Sequence, residues 1–265
     1  RTPEVVVFLD ADVRPSPGLI GDLARQADAT GGLVSIQPFH RTDTVVEQLS
    51  APFNLVSIMG VGTAAHPAAH LATRGAFGPV LATRMDAYRQ VGGHRSVRSD
   101  IVEDMALSER YRSEGRSVEV FGGHDRVSFR MFPLGLRQLV EGWSKNMASG
   151  SGRIPLWRTL ALVLWVAIAS NAAIAATSSI LSGQLDAWVL LAAGFVAQFH
   201  HHLRQLGNFR WWTAPAYPVL LAAFMGLFFY SAYRTHVRRS VVWRGRTLRL
   251  DQADPTPGPQ AVPAP

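Results

Sequence analysis

Three carboxylates carry the chemistry that this chain can perform. Asp10 and Asp12 follow the apolar run Val5-Val6-Val7-Phe8-Leu9, with Ala11 between them. Asp104 comes about ninety residues later, in Val102-Glu103-Asp104-Met105. A β-branched, apolar run reads as a buried parallel strand. Residues i and i+2 of a strand point the same way, and open α/β sheets place ligands at the C-terminal ends of their strands. Asp10 and Asp12 are therefore expected to reach into one cleft. Paired carboxylates there suit a hard divalent cation and the phosphate oxygens it carries. Glu103 and Asp104 fall at an expected helix start, where the macrodipole favours acids. Asp104 reads there either as a cap or as a general base for an acceptor.

The elements that must hold these acids follow from punctuation and periodicity. The strand Val5–Leu9 precedes Pro15-Ser16-Pro17-Gly18 and a helical stretch to about Thr30, stopped by Gly31-Gly32. Leu33–Gln37 reads as a second strand, Thr44–Met59 as a helix, Phe77–Thr83 as a short strand and Met85–Val91 as a helix stopped by Gly92-Gly93. Glu103–Ser113 is an expected helix and Ser117–Phe121 a further strand. Alternating strands and helices argue for a mostly parallel sheet. Gly75-Ala76-Phe77-Gly78-Pro79-Val80 lies between the acids, and its small residues allow close approach of backbone to a ligand. His40 ends the second strand region as a phosphate or acceptor contact, or as a structural residue.

Residues 133–155 change character. Leu134, Leu136, Leu139, Val140, Trp143 and Met147 share one helical face. Such a helix, just ahead of apolar segments, suits a membrane interface; the alternative is an ordinary amphipathic core helix. Three apolar stretches follow within residues 156–235: Leu160–Leu181, Leu185–Phe199 and Ala214–Tyr233, the last with Trp211, Trp212, Tyr230 and Tyr233 as an aromatic belt. Residues 236–265 are basic and then proline-rich, the latter part expected to be disordered. The positive-inside rule puts this tail, and the flank carrying Arg153 and Arg158, in the cytoplasm. Three full crossings would separate those flanks, so the short, histidine-bearing second segment is expected only to dip into the membrane.

The 265 residues carry a net charge of +7, and cysteine is absent. Disulfides and thiolate metal sites are thus excluded. Most of the basic charge lies at the membrane flanks, so nucleic acid is not an expected partner. Of 26 basic residues, Lys145 is the sole lysine.

A strand followed by Asp-x-Asp serves two enzyme classes. In nucleotide-sugar glycosyltransferases the acids hold a cation on a diphosphate. In haloacid-dehalogenase-type phosphatases the first Asp is a nucleophile, and Thr or Val is wanted where Arg14 stands. The acidic pair, Gly78-Pro79-Val80, Gly92-Gly93-His94 and Val102-Glu103-Asp104-Met105 resemble a family-2 glycosyltransferase of GT-A fold. Gln37-Pro38-Phe39-His40, Glu47-Gln48-Leu49-Ser50, Phe53-Asn54, Arg130-Met131-Phe132-Pro133, Glu141-Gly142-Trp143-Ser144-Lys145-Asn146 and Trp243-Arg244-Gly245-Arg246 are similar to the diaponeurosporenoate glycosyltransferases of carotenoid synthesis.

The resemblance implies an α/β fold: a partial GT-A, Rossmann-like domain over residues 1–132, an interface helix and linker over 133–155, and about three transmembrane helices. It implies that Asp12 binds Mg²⁺ or Mn²⁺, that Asp10 lies near the donor ribose or the metal, and that Asp104 is the base. Glu103, Gly78, Pro79, His40, Trp143 and Lys145 are its implied donor or acceptor contacts. Many relatives carry Gln-x-x-Arg-Trp on the interface helix; here Leu139 and Gly142 stand in place of the Gln and Arg, and Lys145 is expected to supply the missing cation. The family's nucleotide-binding half precedes the Asp-x-Asp strand, so the chain is expected to be truncated at its N-terminus. The expected activity is inverting transfer of a hexose, glucose, from a UDP-sugar to a membrane lipid. A carotenoid carboxylate is the first choice. A hopanoid, a ceramide-like lipid, a polyprenyl phosphate or a polysaccharide is the alternative, and an inactive membrane scaffold the non-enzyme one.

Overall fold

The computed structural model describes residues 4–62, 73, 75–100, 102–150, 153–237, 240–243 and 246–249. Strands β1 (Val5–Leu9) and β2 (Arg14–Pro15) precede helix α1 (Leu19–Thr30), then β3 (Leu33–Gln37) and β4 (Phe39–His40). A 3-10 turn at Val46–Ser50 runs into α2 (Ala51–Val61). Next come β5 (Val80–Arg84), α3 (Met85–Gln90), α4 (Glu103–Ser113), β6 (Val118–Gly122) and β7 (Val127–Phe129). Four longer helices follow: α5 (Leu136–Gly150), α6 (Leu156–Leu181), α7 (Ala187–Leu206) and α8 (Tyr217–His236). A hairpin of β8 (Ser240–Trp243) and β9 (Arg246–Arg249) comes after them.

The main sheet has the order β1-β5-β3-β6. The expected mostly parallel sheet is corrected here. β3 and β6 pair in parallel, but β5 lies between β1 and β3 and runs against both. Asp10 N–H donates to Pro79 O at 3.0 Å, so β5 starts where β1 ends, and the pairing runs back from Leu9 opposite Val80 to Val5 opposite Arg84. Every residue of β3 is buried. Alternation sends Val34 and Ile36 toward Leu19, Leu23 and Ala27 of α1, and Leu33 toward Ala106, Leu107 and Tyr111 of α4. Helices therefore cover both faces. Gly31, at φ 62°, supplies the left-handed residue that ends α1, as the glycine pair implied.

A second sheet, β2-β7-β4, sits beside the first. The chain crosses from one to the other between Leu9 and Arg14, which sets the Asp10–Val13 turn at their junction.

Helix α5 covers the stretch read as amphipathic. Its Leu139 and Trp143 are buried against Phe53 of α2, Phe132 and Phe224 of α8, with Phe53 and Trp143 stacked at 4.8 Å. Leu134, Leu136 and Arg137 are exposed.

Of the three expected spans, one is long and apolar enough to cross a membrane among the described residues: α6, with 26 residues. The arginines read as its cytoplasmic flank are engaged otherwise. Arg153 pairs with Asp100 and Glu109. Arg158 is buried and donates to Gly60 O and Val61 O at 3.0 and 2.9 Å, capping carbonyls at the end of α2. The proline-rich tail from residue 250 lies outside the described residues.

Candidate active site

β1 ends at Leu9, one residue before the acids. Val13 N–H donates to Asp10 O at 3.1 Å, so Asp10-Ala11-Asp12-Val13 is a turn. Strand alternation is therefore not what gathers the two carboxylates; the turn is. Both residues are exposed. The Asp10 carboxyl is pushed above its ordinary value by partial burial, then by the charges of Asp12 and Glu103. Glu103, from the first turn of α4, thus faces the same acidic pair.

Asp104 follows in that turn, half-buried. Its Oδ2 accepts from Gly78 N–H at 2.8 Å and its Oδ1 from its neighbour Met105 N–H at 2.8 Å. Burial pushes its carboxyl up, and the two N–H donors oppose that shift only in part. A carboxylate held partly desolvated is a stronger proton acceptor than one in water. Space at Gly78 is tight. A methyl group on it would lie 3.3 Å from Asp104 Oδ2.

Pro79 O then accepts from Asp10 N–H. Gly78-Pro79 therefore joins Asp104 on α4 to Asp10 at the end of β1. Among the described residues, none of Asp10, Asp12, Glu103 and Asp104 forms an ion pair with a basic side chain. Among the described residues no three His, Asp or Glu side chains converge as a metal cage. Two acids on one turn fit instead an ion of the Mg²⁺ type, which keeps waters and takes its other ligands from substrate phosphate.

The remaining expected contacts sit elsewhere. His40 is fully buried, with its ring against Phe129, Phe132 and Phe209. Asn54 Nδ2 donates to its Nδ1 at 3.1 Å, which leaves Nε2 as the protonated nitrogen. Burial pushes its pKa down to about 4, so the ring is neutral. This is a structural histidine, and a surface contact to phosphate or acceptor is not what its position offers. Trp143 is buried in the α5 cluster and likewise does not line the acidic cleft. Lys145 lies on α5, and its side chain is outside the described residues.

Sequence reasoning missed the role of the quoted polar stretches. Gln48 is buried; its Nε2 donates to Thr42 Oγ1 at 2.9 Å, and its Oε1 accepts from Thr213 Oγ1 at 2.7 Å and Arg210 N–H at 3.0 Å. Asn208 Oδ1 accepts from Thr42 N–H at 2.6 Å. Glu47, also buried, accepts from Arg130 and from the backbone of Asp43 and Thr44, which hold its carboxyl low against the cost of burial. These residues form a polar joint between the sheet unit and the α7–α8 connection.

Residues 3–255 match the sequence model of glycosyl transferase family 21. The chain belongs to this glycosyltransferase family. It is 32% identical over 252 residues to the 4,4′-diaponeurosporenoate glycosyltransferase of Staphylococcus aureus strain USA300, covering 93% of this chain and 67% of that protein. The protein of the same description from strain MRSA252 is 31% identical over 254 residues, with the same coverage. For a family 21 glycosyltransferase, the match spans the sheet unit and α5–α8 together, so the helices belong to the same homologous unit as the acids.

Proposed function

We propose that this chain carries the acceptor side and the metal acids of a membrane-bound, inverting hexosyltransferase. It transfers glucose from UDP-glucose to the carboxylate of a carotenoid acid. The observation that carries this reading is the acidic turn Asp10–Asp12, tied through Pro79-Gly78 to the half-buried Asp104. The description of the relatives as diaponeurosporenoate glycosyltransferases supports the acceptor class.

In this reading the acceptor oxygen attacks the anomeric carbon from the side opposite the diphosphate. The C1–O bond to the diphosphate breaks, and UDP departs with the electron pair. Asp104 takes the proton of a hydroxyl acceptor; a carboxylate acceptor brings none and needs no base. Asp10 and Asp12 would hold Mg²⁺ or Mn²⁺, which supplies charge neutralisation on the leaving diphosphate. Glu103 adds negative charge beside Asp10, strengthening the hold on a cation. Lys145, the lysine next to the altered motif, is proposed to supply the cation that the motif's arginine would bring to the diphosphate.

The membrane reading rests on α6. At about 1.5 Å per residue its 26 residues reach about 39 Å, more than the ~30 Å of a hydrocarbon core. Its Leu160, Val163, Leu164 and Ile174 are more than half exposed, as are Leu190 of α7 and Val219 and Phe229 of α8. With the catalytic acids on the cytoplasmic side, an apolar acceptor lying in the bilayer meets a soluble donor at its surface.

The test is transfer from radiolabelled UDP-glucose by the detergent-purified protein. A carotenoid acid, a hopanoid, a ceramide and a polyprenyl phosphate are offered as acceptors. Label in the carotenoid acid, absent in Asp12→Ala, supports the reading. Label in another lipid alone reassigns the acceptor, and no label in any lipid removes the transfer reading from this chain.

A further inference from the structure

We propose that Ser35 is a positioning residue for Asp104, a role that rests on the transfer reading above. Ser35 lies in the middle of β3, fully buried and flanked by Leu81 of β5 and Val120 of β6. Its Oγ accepts from Phe77 N–H at 2.7 Å and donates to Phe77 O at 3.0 Å. The hydroxyl thus satisfies both main-chain groups of one residue, as a neighbouring strand would.

The residues that follow are the two that bind the site. Gly78 N–H holds Asp104 Oδ2 and Pro79 O holds Asp10 N–H. Three consecutive residues are therefore fastened to β3, to the start of α4 and to the end of β1. Ser35 fixes the first, and with Phe77 pinned the N–H of Gly78 has one direction in which to point. An apolar residue would suit the packing at this buried position, since Leu33 of the same face lies in the apolar cluster of Leu81, Ala106 and Leu107. The hydroxyl instead anchors the strip that orients the base. Small displacements of a catalytic group lower the rate without preventing folding.

The experiment compares wild type, Ser35→Ala and Ser35→Thr in the full chain in detergent. Transfer kinetics and amide exchange at Gly78 and Asp10 are both measured. Ser35→Ala is expected to lower kcat about tenfold while the donor KM changes less than about threefold. Exchange at Gly78 and Asp10 is expected to quicken, and Ser35→Thr, which keeps the hydroxyl, to restore both. Normal kcat with only a lower melting temperature overturns the proposal, as does unchanged exchange at Gly78. Should the wild type transfer no sugar, the functional reading fails by itself, and Gly78 exchange still decides whether Ser35 holds the strip. Should Ser35→Ala fail to fold, Ser35→Cys, of similar size and weaker hydrogen bonding, is expected to show a smaller change of the same sign; no change in kcat or exchange overturns the proposal.

Discussion

The N–H of Gly78 donates to Asp104 Oδ2 at 2.8 Å, across twenty-six residues of chain. That bond makes the distance between two elements a property of one residue's backbone. Gly78→Ala would place a methyl 3.3 Å from the carboxylate oxygen. We expect a loss of stability of about 1 kcal/mol or less, and a much larger loss of kcat. Thermal melts and transfer kinetics on the same preparation check this split. Equal, small losses in both would remove Gly78 from the site's geometry.

The raised carboxyl of Asp104 sets the pH response. Activity with a hydroxyl acceptor needs the ionised form and falls as pH drops through that raised value. Stability runs the other way. The folded state binds the proton more tightly than the unfolded chain, so wild-type stability falls as pH rises from the ordinary value of 3.8 through the folded one. Asp104→Asn lacks this dependence. The gap in melting temperature between wild type and Asp104→Asn should shift against wild type over that interval.

Acceptor chemistry gives a sharper comparison. A carboxylic acid is already ionised at neutral pH, whereas a hydroxyl is not. Asp104→Asn is expected to slow transfer to a carotenoid acid less than transfer to a hydroxyl lipid. Equal, complete loss with both would show that Asp104 does more than accept a proton.

Chelation addresses the acidic turn. EDTA should abolish transfer, with Mg²⁺ or Mn²⁺ restoring it. Asp12→Ala should stay inactive at any metal concentration, while Asp10→Ala should raise the metal needed. Full activity in EDTA would mean that the pair does not act through a cation.

His40 predicts a slope of opposite sign to that of Asp104. Its folded pKa of about 4 lies below the ordinary 6.5, so its contribution is complete above 6.5 and is lost as pH falls toward 4. The span is on the order of 3 kcal/mol. His40→Leu should flatten stability across that interval, measured by denaturant unfolding at several pH values, without altering donor affinity.

The fold was legible where local rules suffice. The strand Val5–Leu9, the helix ended by Gly31 and the helix opening at Glu103 lie where apolar runs, glycines and first-turn acids put them. The direction of β5 was not legible, because it depends on one hydrogen bond between Pro79 and Asp10, distant in sequence. Amphipathicity in α5 states that one face is covered, not by what; Leu139 and Trp143 on that face pack on Phe53 and Phe224. Asp10, Asp12 and Asp104 were recognisable as acids at element ends. His40 and Trp143 resembled contacts because a motif does not reveal burial. Ser35 carries no sequence signal at all: a serine inside a strand is ordinary until its partner is seen.

The joint from Thr42 and Gln48 to Asn208 and Thr213 has a consequence for how the molecule can be divided. A cut after residue 132 would strand Gln48 Oε1 and the amide of Thr42, and would open the slot that Phe132 shares with α5 and α8. The sheet unit and its helices are therefore inseparable in practice. A water-soluble catalytic half cannot be carved from this chain, and exchange of acceptor preference by swapping the helical half between relatives has to carry both sides of that joint together.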